Sequence, residues 1–285
     1  PRYGRIRPKV HDEPAVLDVY GEVATATSNR DMQLNAWVIG MFQPWIARTY
    51  PDTAIENAFG DRSYAATCPA HPDVQAYLSN LLCDLCDQFP IANITLENVG
   101  YPEFTYGWVR PRILVYMSPW ASFLSGLCFN EHSMSAARAH GVDPEHIRAI
   151  VARELREYLN HPLMPGAADP PLSELVAERC DHNEEFRGYL EARDQSAAGT
   201  VKIVRRALRG HNVKIGISGA SPGWAMDGLR HHDLLPTINA LMLADPTDEA
   251  ETANQQLQAV RAASTDIQIT INQTAHYEVD PHGPG

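Results

Sequence analysis

The feature that most constrains this chain is the alternation of short apolar runs with longer amphipathic stretches. Five runs have the length and composition of buried strands: Leu34–Met41, Ile91–Leu96, Val213–Ile217, Ile238–Leu243 and Ile267–Ile271. Between several of these runs, apolar residues recur at helical spacing, notably after Pro72, after Pro144 and from Glu184 to Arg209. Strands that alternate with helices predict a mostly parallel sheet covered by helices.

The length of 285 residues suits one α/β barrel, which commonly needs about 250. We therefore predict an α/β fold of the (β/α)8 TIM barrel type, with residues 1–285 forming a single domain. Since five clear strands fall short of the eight in a complete barrel, we expect an incomplete or divergent barrel, or one with an irregular strand near the N-terminus. An open doubly wound sheet is the structural alternative.

The charge and composition of the chain limit the classes of partner that it is expected to bind. The formal net charge is −12, which disfavours nucleic acid and anionic membranes, whereas neutral sugars are indifferent to it. No segment approaches the roughly 18 continuous apolar residues of a membrane span, and PRYGRIRPKV lacks the apolar core of a signal peptide. Five cysteines make no disulfide framework, which favours a cytoplasmic protein, with secretion as the alternative. The oligomeric state leaves no signal in the sequence.

Glu97 is the strongest catalytic candidate. It directly follows the apolar run Ile91–Leu96, and sites in parallel α/β folds collect at the carboxyl ends of strands. A carboxylate that is partly shielded from water at such a place can serve as a general acid. The alternative is a structural carboxylate that binds loop amides or an arginine.

Asp245 has a similar position, two residues beyond Ile238–Leu243. Glycoside hydrolysis uses two carboxylates that flank one glycosidic bond, so Glu97 and Asp245 form a candidate pair. The sequence Asp-Pro-Thr-Asp is equally typical of a turn or a helix cap, which is the structural interpretation of Asp245.

Arg193 falls on the apolar stripe of the long helix predicted from Glu184. A buried arginine requires a partner, because an uncompensated buried charge is costly. A site carboxylate such as Glu97 and a structural ion pair are equally good partners at this stage, and a snorkelling side chain is a third interpretation.

The stretch after Glu97 is long, irregular and rich in aromatic residues, as functional loops often are. Aromatic rings stack on the apolar faces of sugars, so Trp108 and Trp120 are expected to contact substrate. Trp37 lies inside a predicted strand, and we interpret it as a core residue.

The cysteines and histidines give weaker signals. Cys128 and His132 have metal-ligand spacing, but zinc requires more ligands than these two, so we predict no metal site. Cys83 and Cys86 form a C-x-x-C within a continuous helix and are interpreted as packed thiols. His71 lies in a loop and is a candidate to face a ligand.

Several segments resemble bacterial, mainly actinobacterial, glycoside-hydrolase-like TIM-barrel proteins. The resemblance rests on Ala36-Trp-Val, Asn57-Ala-Phe-Gly-Asp61, Cys68-Pro-Ala-His-Pro72, Leu96-Glu-Asn-Val-Gly-Tyr101 and Gly126-Leu-Cys-Phe129. It implies that Glu97 is the acid of the site and that the stretch from Asn57 to His71 approaches the same face. Asn98 and Tyr101, within the Glu97 motif, are expected to contact substrate as well. Asn130 and Ser133 replace two cysteines of the family pattern, which argues against a metal-binding role for that cluster.

The function predicted from these observations is hydrolysis of an O-glycosidic bond in a carbohydrate, with water as co-substrate and no organic cofactor. Arg193 would hold a carboxylate ionised or bind an acidic sugar. One alternative is a non-catalytic carbohydrate-binding protein on a degenerate barrel. Another is a metal-dependent hydrolase or isomerase that uses His71, His132 or His231.

Overall fold

The computed structural model describes residues 2–9, 18–102, 117–161, 170–221, 223–244 and 250–272. These residues form a mixed α/β fold with a five-stranded parallel sheet and ten α-helices, which confirms the predicted fold class at the level of α/β. Two predicted site residues, Trp108 and Asp245, lie outside the described residues.

The sheet contains all five strands that the sequence predicts, each displaced by no more than a few residues. The strands of the chain are β1 (Leu34–Ile39), β2 (Ala54–Glu56), β3 (Arg62–Thr67), β4 (Ile91–Glu97), β5 (Lys214–Ser218), β6 (Ala240–Ala244) and β7 (Gln268–Asn272). In the parallel sheet the order is β1-β4-β5-β6-β7, whereas β2 and β3 form a separate antiparallel pair. The sheet strands are thus neighbours in the order of the chain, with no reversal among those described.

The described helices connect these strands or pack beside them. They are α1 (Val19–Ser28), α2 (Pro44–Thr49), α3 (Pro72–Gln88), α4 (Pro119–Ser125), α5 (Glu131–Ala139), α6 (Pro144–Asn160), α7 (Leu172–His182), α8 (Glu184–Ala207), α9 (His231–Leu234) and α10 (Ala250–Ala263). Among the described residues, none of the helices has the length and apolarity needed to cross a membrane.

Local sequence signals explain where the principal helices begin. Asp143 caps α6 by accepting the backbone N–H groups of Glu145 and His146, both at 3.1 Å, and proline occupies the next position. A capping carboxylate followed by a proline, whose missing N–H costs nothing at this position, is typical of a helix start. Asn183 caps α8 in the same way through the N–H of Phe186.

Two apolar clusters stabilise the fold. The larger lies between one face of the sheet and helices α3 and α8, and it contains Val38, Ile94, Leu96, Ile215 and Ile217. The smaller joins α4, α5, α6 and α7 to the first half of α8. Helix α8 contributes to both clusters, so it connects the sheet to the helical part of the molecule.

The opposite face of the sheet, called the open face below, is exposed along β1. Along β1, burial alternates, so that Leu34, Ala36 and Val38 are buried whereas the residues between them are exposed. Trp37 is 50% exposed and Ile39 is 40% exposed. A strand that alternates in this way has one face on the core and one toward solvent.

One stretch of polar sequence contains strands. The region from Tyr50 to Pro72 is rich in turn-forming residues, yet it contains the β2–β3 pair. Asn57 and Gly60 form the turn between these two strands. The residues of this turn account for much of the polar composition of the region.

Candidate functional site

Glu97 is the last residue of β4, at the carboxyl end of the sheet, and its side chain lies on the open face. The register aligns Ile39, Glu97 and Ser218 across three neighbouring strands, and Ser218 aligns with Met242. Residues at one level of a parallel sheet point to the same side. Glu97 therefore lies beside Ile39 and Ser218 and is partly exposed.

Trp37 is hydrogen bonded to Glu97. Its indole N–H donates to Glu97 Oε2 at 2.5 Å, along the diagonal between neighbouring strands. The side-chain amide of Asn98 approaches the other carboxylate oxygen at 3.3 Å. Both oxygens of the carboxylate thus have a donor, and these contacts fix the orientation of its plane.

The interpretation of Trp37 as a core residue is wrong. The apolar run that contains it is a strand with only one buried face, and Trp37 falls on the other face, half exposed. A short apolar run does not by itself distinguish a strand covered on both faces from one covered on a single face.

The backbone around Glu97 is tightly fixed. The ladder between β1 and β4 continues past the strand ends, because Gly40 N–H donates to Glu97 O at 2.8 Å and Met41 N–H donates to Asn98 O at 2.6 Å. A Cβ at Gly40 would lie 3.0 Å from Asn98 O, which requires glycine or a shift of the backbone. Asn98 has a φ of +50°, a conformation that asparagine adopts more readily than most residues.

Polar side chains continue along the open face toward the amino ends of the strands. Asn93 donates to Asn35 Oδ1 at 2.6 Å. This pair precedes the Trp37–Thr95 pair by two residues on each strand, so both pairs lie on the same face. These groups supply neutral hydrogen-bond donors and acceptors in the same surface as Trp37.

The segment that follows Asn98 turns into the protein interior. Tyr101 is fully buried, and its backbone N–H donates to Asp227 O at 2.8 Å. A Cβ at Gly100 would lie 2.3 Å from the same carbonyl oxygen, so glycine is needed for this close approach. The loop after β5 is thereby held against the loop after β4, at the same end of the sheet as Glu97.

Arg193 packs against the loop that follows β5. Its partners do not include Glu97, the carboxylate that the sequence suggested for it. Arg193 is 5% exposed and contacts Asp194 Oδ1 at 3.2 Å and the carbonyl groups of Ala225 and Met226. Its guanidinium carbon also lies 4.8 Å from the centre of the Tyr101 ring. Arg193 thus forms a structural ion pair that holds the 225–226 backbone, and the structure gives it no contact with Glu97.

Asp194 is the centre of this buried ion network. Arg230 Nε lies 2.8 Å from Asp194 Oδ2, although the N–H is not aligned for a directed hydrogen bond. Arg230 also lies 3.3 Å from Asp233 and stacks over Trp224 at 4.4 Å. Burial raises the pKa of Asp194 to about 6, an effect that the two arginines oppose without cancelling.

The other predicted substrate-binding residues lie away from Glu97 or pack within the protein. Asn57 accepts the backbone N–H groups of Phe59 and Asp61, both at 2.9 Å, and so stabilises the β2–β3 turn. Trp120 stacks on Phe123 in the smaller apolar cluster, with ring centres 5.8 Å apart. No contact joins either residue to Glu97 in the described part of the chain.

His71 is a buried helix cap. It is 3% exposed, and its Nδ1 accepts the N–H of Asp73 at the start of α3, which places the proton on Nε2 beside Asp52. Its ring packs edge-on against His132 at 4.2 Å. Burial lowers the pKa of His71, and the neighbouring imidazole lowers it further.

The histidines considered for a metal site are only partly together. His71 and His132 are in contact, whereas His231 packs near Ala220 and binds its carbonyl oxygen at 3.1 Å. Within the described residues, no group of three or more His, Cys, Asp or Glu side chains is arranged to hold a metal ion.

Comparison with known proteins shows a distant similarity to a solved structure. No protein-family model matches the chain, and no curated protein matches its sequence. Among solved structures, an agarase is similar with a TM-score of 0.40 and 11% sequence identity, over 83% of this chain and 30% of the agarase chain. The chain therefore spans less than a third of the agarase chain.

Proposed function

We propose that this chain is a glycoside hydrolase that cleaves an O-glycosidic bond of a carbohydrate, with Glu97 as general acid/base or nucleophile. The observation that carries the proposal is the Trp37–Glu97 pair at the carboxyl end of the sheet. It combines an oriented carboxylate with an exposed aromatic ring on one accessible face.

This pairing suits the chemistry of sugars. A pyranose has apolar C–H faces that stack on aromatic rings, and hydroxyl groups that require neutral hydrogen-bond partners. Trp37 supplies the ring, and Asn35, Asn93 and Thr95 supply polar groups on the same face. Glu97 then supplies the carboxylate that glycoside hydrolysis requires beside the scissile bond.

A second carboxylate completes the mechanism. We assign this role to Asp245, which follows β6 directly in the sequence. Strand β6 lies next to β5, and β5 lies next to β4, which ends at Glu97. The separation of the two carboxylates determines the stereochemical outcome: about 5 Å for retention and about 6.5–9.5 Å for inversion.

The order of the strands supports a barrel. Strands of an α/β barrel are neighbours in chain order, whereas a doubly wound sheet reverses its order at the point where ligands bind. The five described strands of the parallel sheet follow chain order, with β2 and β3 set apart as a separate pair. We therefore propose that the sheet is an arc of an α/β barrel, with Glu97 and Trp37 on the side that faces the barrel axis.

A carbohydrate-binding protein without turnover is the second candidate. It is favoured by the half exposure of Trp37 and by the neutral amides beside it, which bind a sugar without any chemical step. The two candidates differ in one respect, since only the hydrolase requires the ionisable carboxyl group of Glu97.

A hydrolysis screen tests the proposal. Wild type and Glu97→Gln are incubated with aryl glycosides and with neutral oligosaccharides and polysaccharides, with and without a chelator, and release of reducing ends is measured. We expect turnover by the wild type that is insensitive to the chelator. Sugar binding without turnover by either protein would favour the binding protein, and activity that a chelator abolishes would favour the metal-dependent alternative.

A further inference from the structure

The second half of helix α8 carries a stripe of exposed positive charge. Lys202, Arg206 and Arg209 are all exposed, and they follow one another at intervals of four and three residues along α8 and the short 3₁₀ turn that continues it. Residues at this spacing share one side of a helix. Seven residues of helix extend about 10 Å, so the three charges form a straight ridge of that length, here called the basic ridge.

The charges of the basic ridge have no partner of opposite sign in the protein. Among the residues that the structure describes, none of the carboxylates forms an ion pair with any of the three ridge residues. Residues 201–214, all of them described, include five Lys or Arg and no Asp or Glu. Asp87 lies 3.5 Å from His211 Nε2 but is already paired with Arg2. The ridge thus concentrates positive charge in a chain whose formal net charge is −12.

The fold itself accounts for little of this charge. A cation with a structural role in the same helix is Arg205, which donates to Thr237 O at 2.8 Å and also binds the side chain of Asn239. The three ridge residues make no such contacts in the described part of the chain. Cations near the carboxyl end of a helix complement its dipole, but this effect is confined to the last turn, which contains only one of the three.

The basic ridge lies at the opposite end of the sheet from Glu97. The chain passes from the ridge into β5, which begins at Lys214, so the ridge adjoins the amino end of this strand. Glu97 aligns with Ser218, the last residue of β5. A ligand of the ridge therefore binds at a place separate from the proposed catalytic carboxylate.

We propose that the basic ridge binds an anionic polysaccharide through its sulfate or carboxylate groups. Guanidinium groups pair with such oxyanions in a bidentate manner, and two of the three ridge residues are arginines. A polysaccharide repeats its charged groups along one chain, so several individually weak contacts act together on a straight ridge. The choice of a carbohydrate among polyanions rests on the proposed function, in which this chain acts on sugars.

The surroundings of the ridge disfavour other anionic partners. Within residues 201–214, none of the large apolar or aromatic side chains is exposed. Interfaces with folded proteins have an apolar centre, membrane-binding helices insert an apolar face, and single-stranded nucleic acids stack their bases on aromatic rings. A DNA duplex carries one charge per about 1.7 Å, so the acidic remainder of the protein repels it more than a polymer with wider charge spacing.

The test is the binding of the folded, full-length protein to two anionic polysaccharides, dextran sulfate and polygalacturonate, with uncharged dextran as the reference. Titration calorimetry between about 50 and 200 mM salt gives the affinity and its salt dependence. We expect binding to both anionic polymers, weakening as salt rises, and none to dextran. Glu97→Gln is measured beside wild type and should bind equally. Absence of turnover in the hydrolysis screen would contradict the hydrolase without altering these binding results.

Two triple variants with the same loss of charge locate the site. Lys202→Gln/Arg206→Gln/Arg209→Gln should bind dextran sulfate at least about tenfold more weakly at 50 mM salt, and its slope of log Kd against log salt should fall by about two to three. The control Arg30→Gln/Arg48→Gln/Arg153→Gln removes three exposed arginines from other parts of the surface and should retain most of the affinity. Circular dichroism establishes that both variants are folded.

Three results would overturn the proposal. The first is an equal loss of affinity in the two triple variants, which would assign binding to net charge alone. The second is the absence of binding to either anionic polysaccharide at the lowest salt concentration. The third is tighter binding to a DNA duplex or to anionic lipid vesicles than to dextran sulfate at the same salt concentration, which would assign the ridge to a different class of partner.

Discussion

The indole N–H of Trp37 donates to Glu97 Oε2 at 2.5 Å, and these two side chains occupy the same open face of the parallel sheet. The contact joins the strongest catalytic candidate to an aromatic ring that is half exposed. Each of these two features of Trp37, the donor and the ring, has a separate experimental consequence.

Two substitutions of Trp37 distinguish the effect of its indole N–H from the effect of its aromatic ring. Trp37→Phe keeps an aromatic surface but removes the hydrogen bond to the carboxylate, so kcat should fall roughly tenfold with little change in KM. Trp37→Ala also removes the stacking surface and should raise KM in addition. Steady-state kinetics on the best substrate of the screen measures both effects.

Trp45→Phe is the matched control for the Trp37 variants. Trp45 donates its indole N–H to Gln43 and packs against the core, without a contact to Glu97. Its replacement should leave kcat and KM unchanged. If Trp45→Phe and Trp37→Phe reduced activity equally, the loss would reflect general destabilisation and the role of the Trp37 donor would be refuted.

Loss of the buried Arg193 charge should be strongly destabilising. Arg193→Met leaves Asp194 with one arginine partner and frees the backbone carbonyls of the loop after β5, which should cost about 3–5 kcal/mol of unfolding free energy. Arg206→Met, at an exposed position on the same helix, should change stability by about 0.5 kcal/mol or less. Urea denaturation provides the comparison, and equal effects of the two variants would contradict the buried network.

The raised pKa of Asp194 predicts a pH dependence of stability. Its pKa rises from 3.8 in the unfolded chain to about 6 in the folded protein, so the folded state binds this proton more tightly. This contribution is complete below about pH 4 and is lost as the pH rises through 6, with a total of about 3 kcal/mol.

Asp194→Asn isolates this contribution. Relative to the variant, the wild type should lose unfolding free energy between pH 4 and about 7. Urea denaturation at several pH values in this interval gives the difference directly. Parallel pH profiles of wild type and variant would show that Asp194 does not change its protonation state on folding.

The lowered pKa of His71 predicts a pH dependence of stability opposite to that of Asp194. Its pKa is lowered by burial, so the folded state binds its proton less tightly, and stability present above pH 6.5 is lost as the pH falls through the lower folded value. His71→Asn retains a capping acceptor for the N–H of Asp73 but does not titrate. Acidification from pH 7 to 5 should therefore destabilise the wild type more than this variant.

An exposed histidine serves as the control for His71. His182→Asn removes an imidazole at the exposed end of α7 and should leave the acid sensitivity of the wild type intact. Thermal unfolding at both pH values is sufficient for the comparison. Equal acid sensitivity of His71→Asn and wild type would exclude His71 as the titrating group.

The elements of the sheet were predictable because each strand has a locally sufficient signal. The run Ile91–Leu96 ends where a polar residue and a loop follow, and Asp143-Pro144 carries its own capping chemistry. The β2–β3 pair was missed because its strands are short and one contains polar residues, so the turn signals around Asn57 dominate.

The contacts of the site depend on tertiary structure that local patterns do not encode. The position of Glu97 at a strand end follows from the sequence, but its partner Trp37 lies sixty positions earlier and is brought near by strand register. Burial alternates along Leu34–Ile39, but the sequence of this strand carries little of that alternation, because Asn35 is its only polar residue.

The partners of Arg193 and His71 illustrate the same limit. Arg193 is paired with its own neighbour in sequence, Asp194, although a helix places adjacent residues in different directions. His71 lies in a loop by sequence, yet it is buried because α5 brings His132 against it. For Arg193 the residue type indicated the need for a partner, and the packing around it selected which one. For His71 the sequence indicated a ligand-facing loop residue, and packing made it a buried helix cap instead.

The measurement that tests the central claim most directly is turnover of one substrate by wild type and Glu97→Gln, together with the affinity of each protein for that substrate. The substitution preserves the size of the side chain and removes its ability to ionise. We predict that Glu97→Gln lowers kcat at least about a hundredfold while Kd changes by no more than about threefold. Equal turnover by the two folded proteins would contradict the assignment of Glu97 as the catalytic carboxylate.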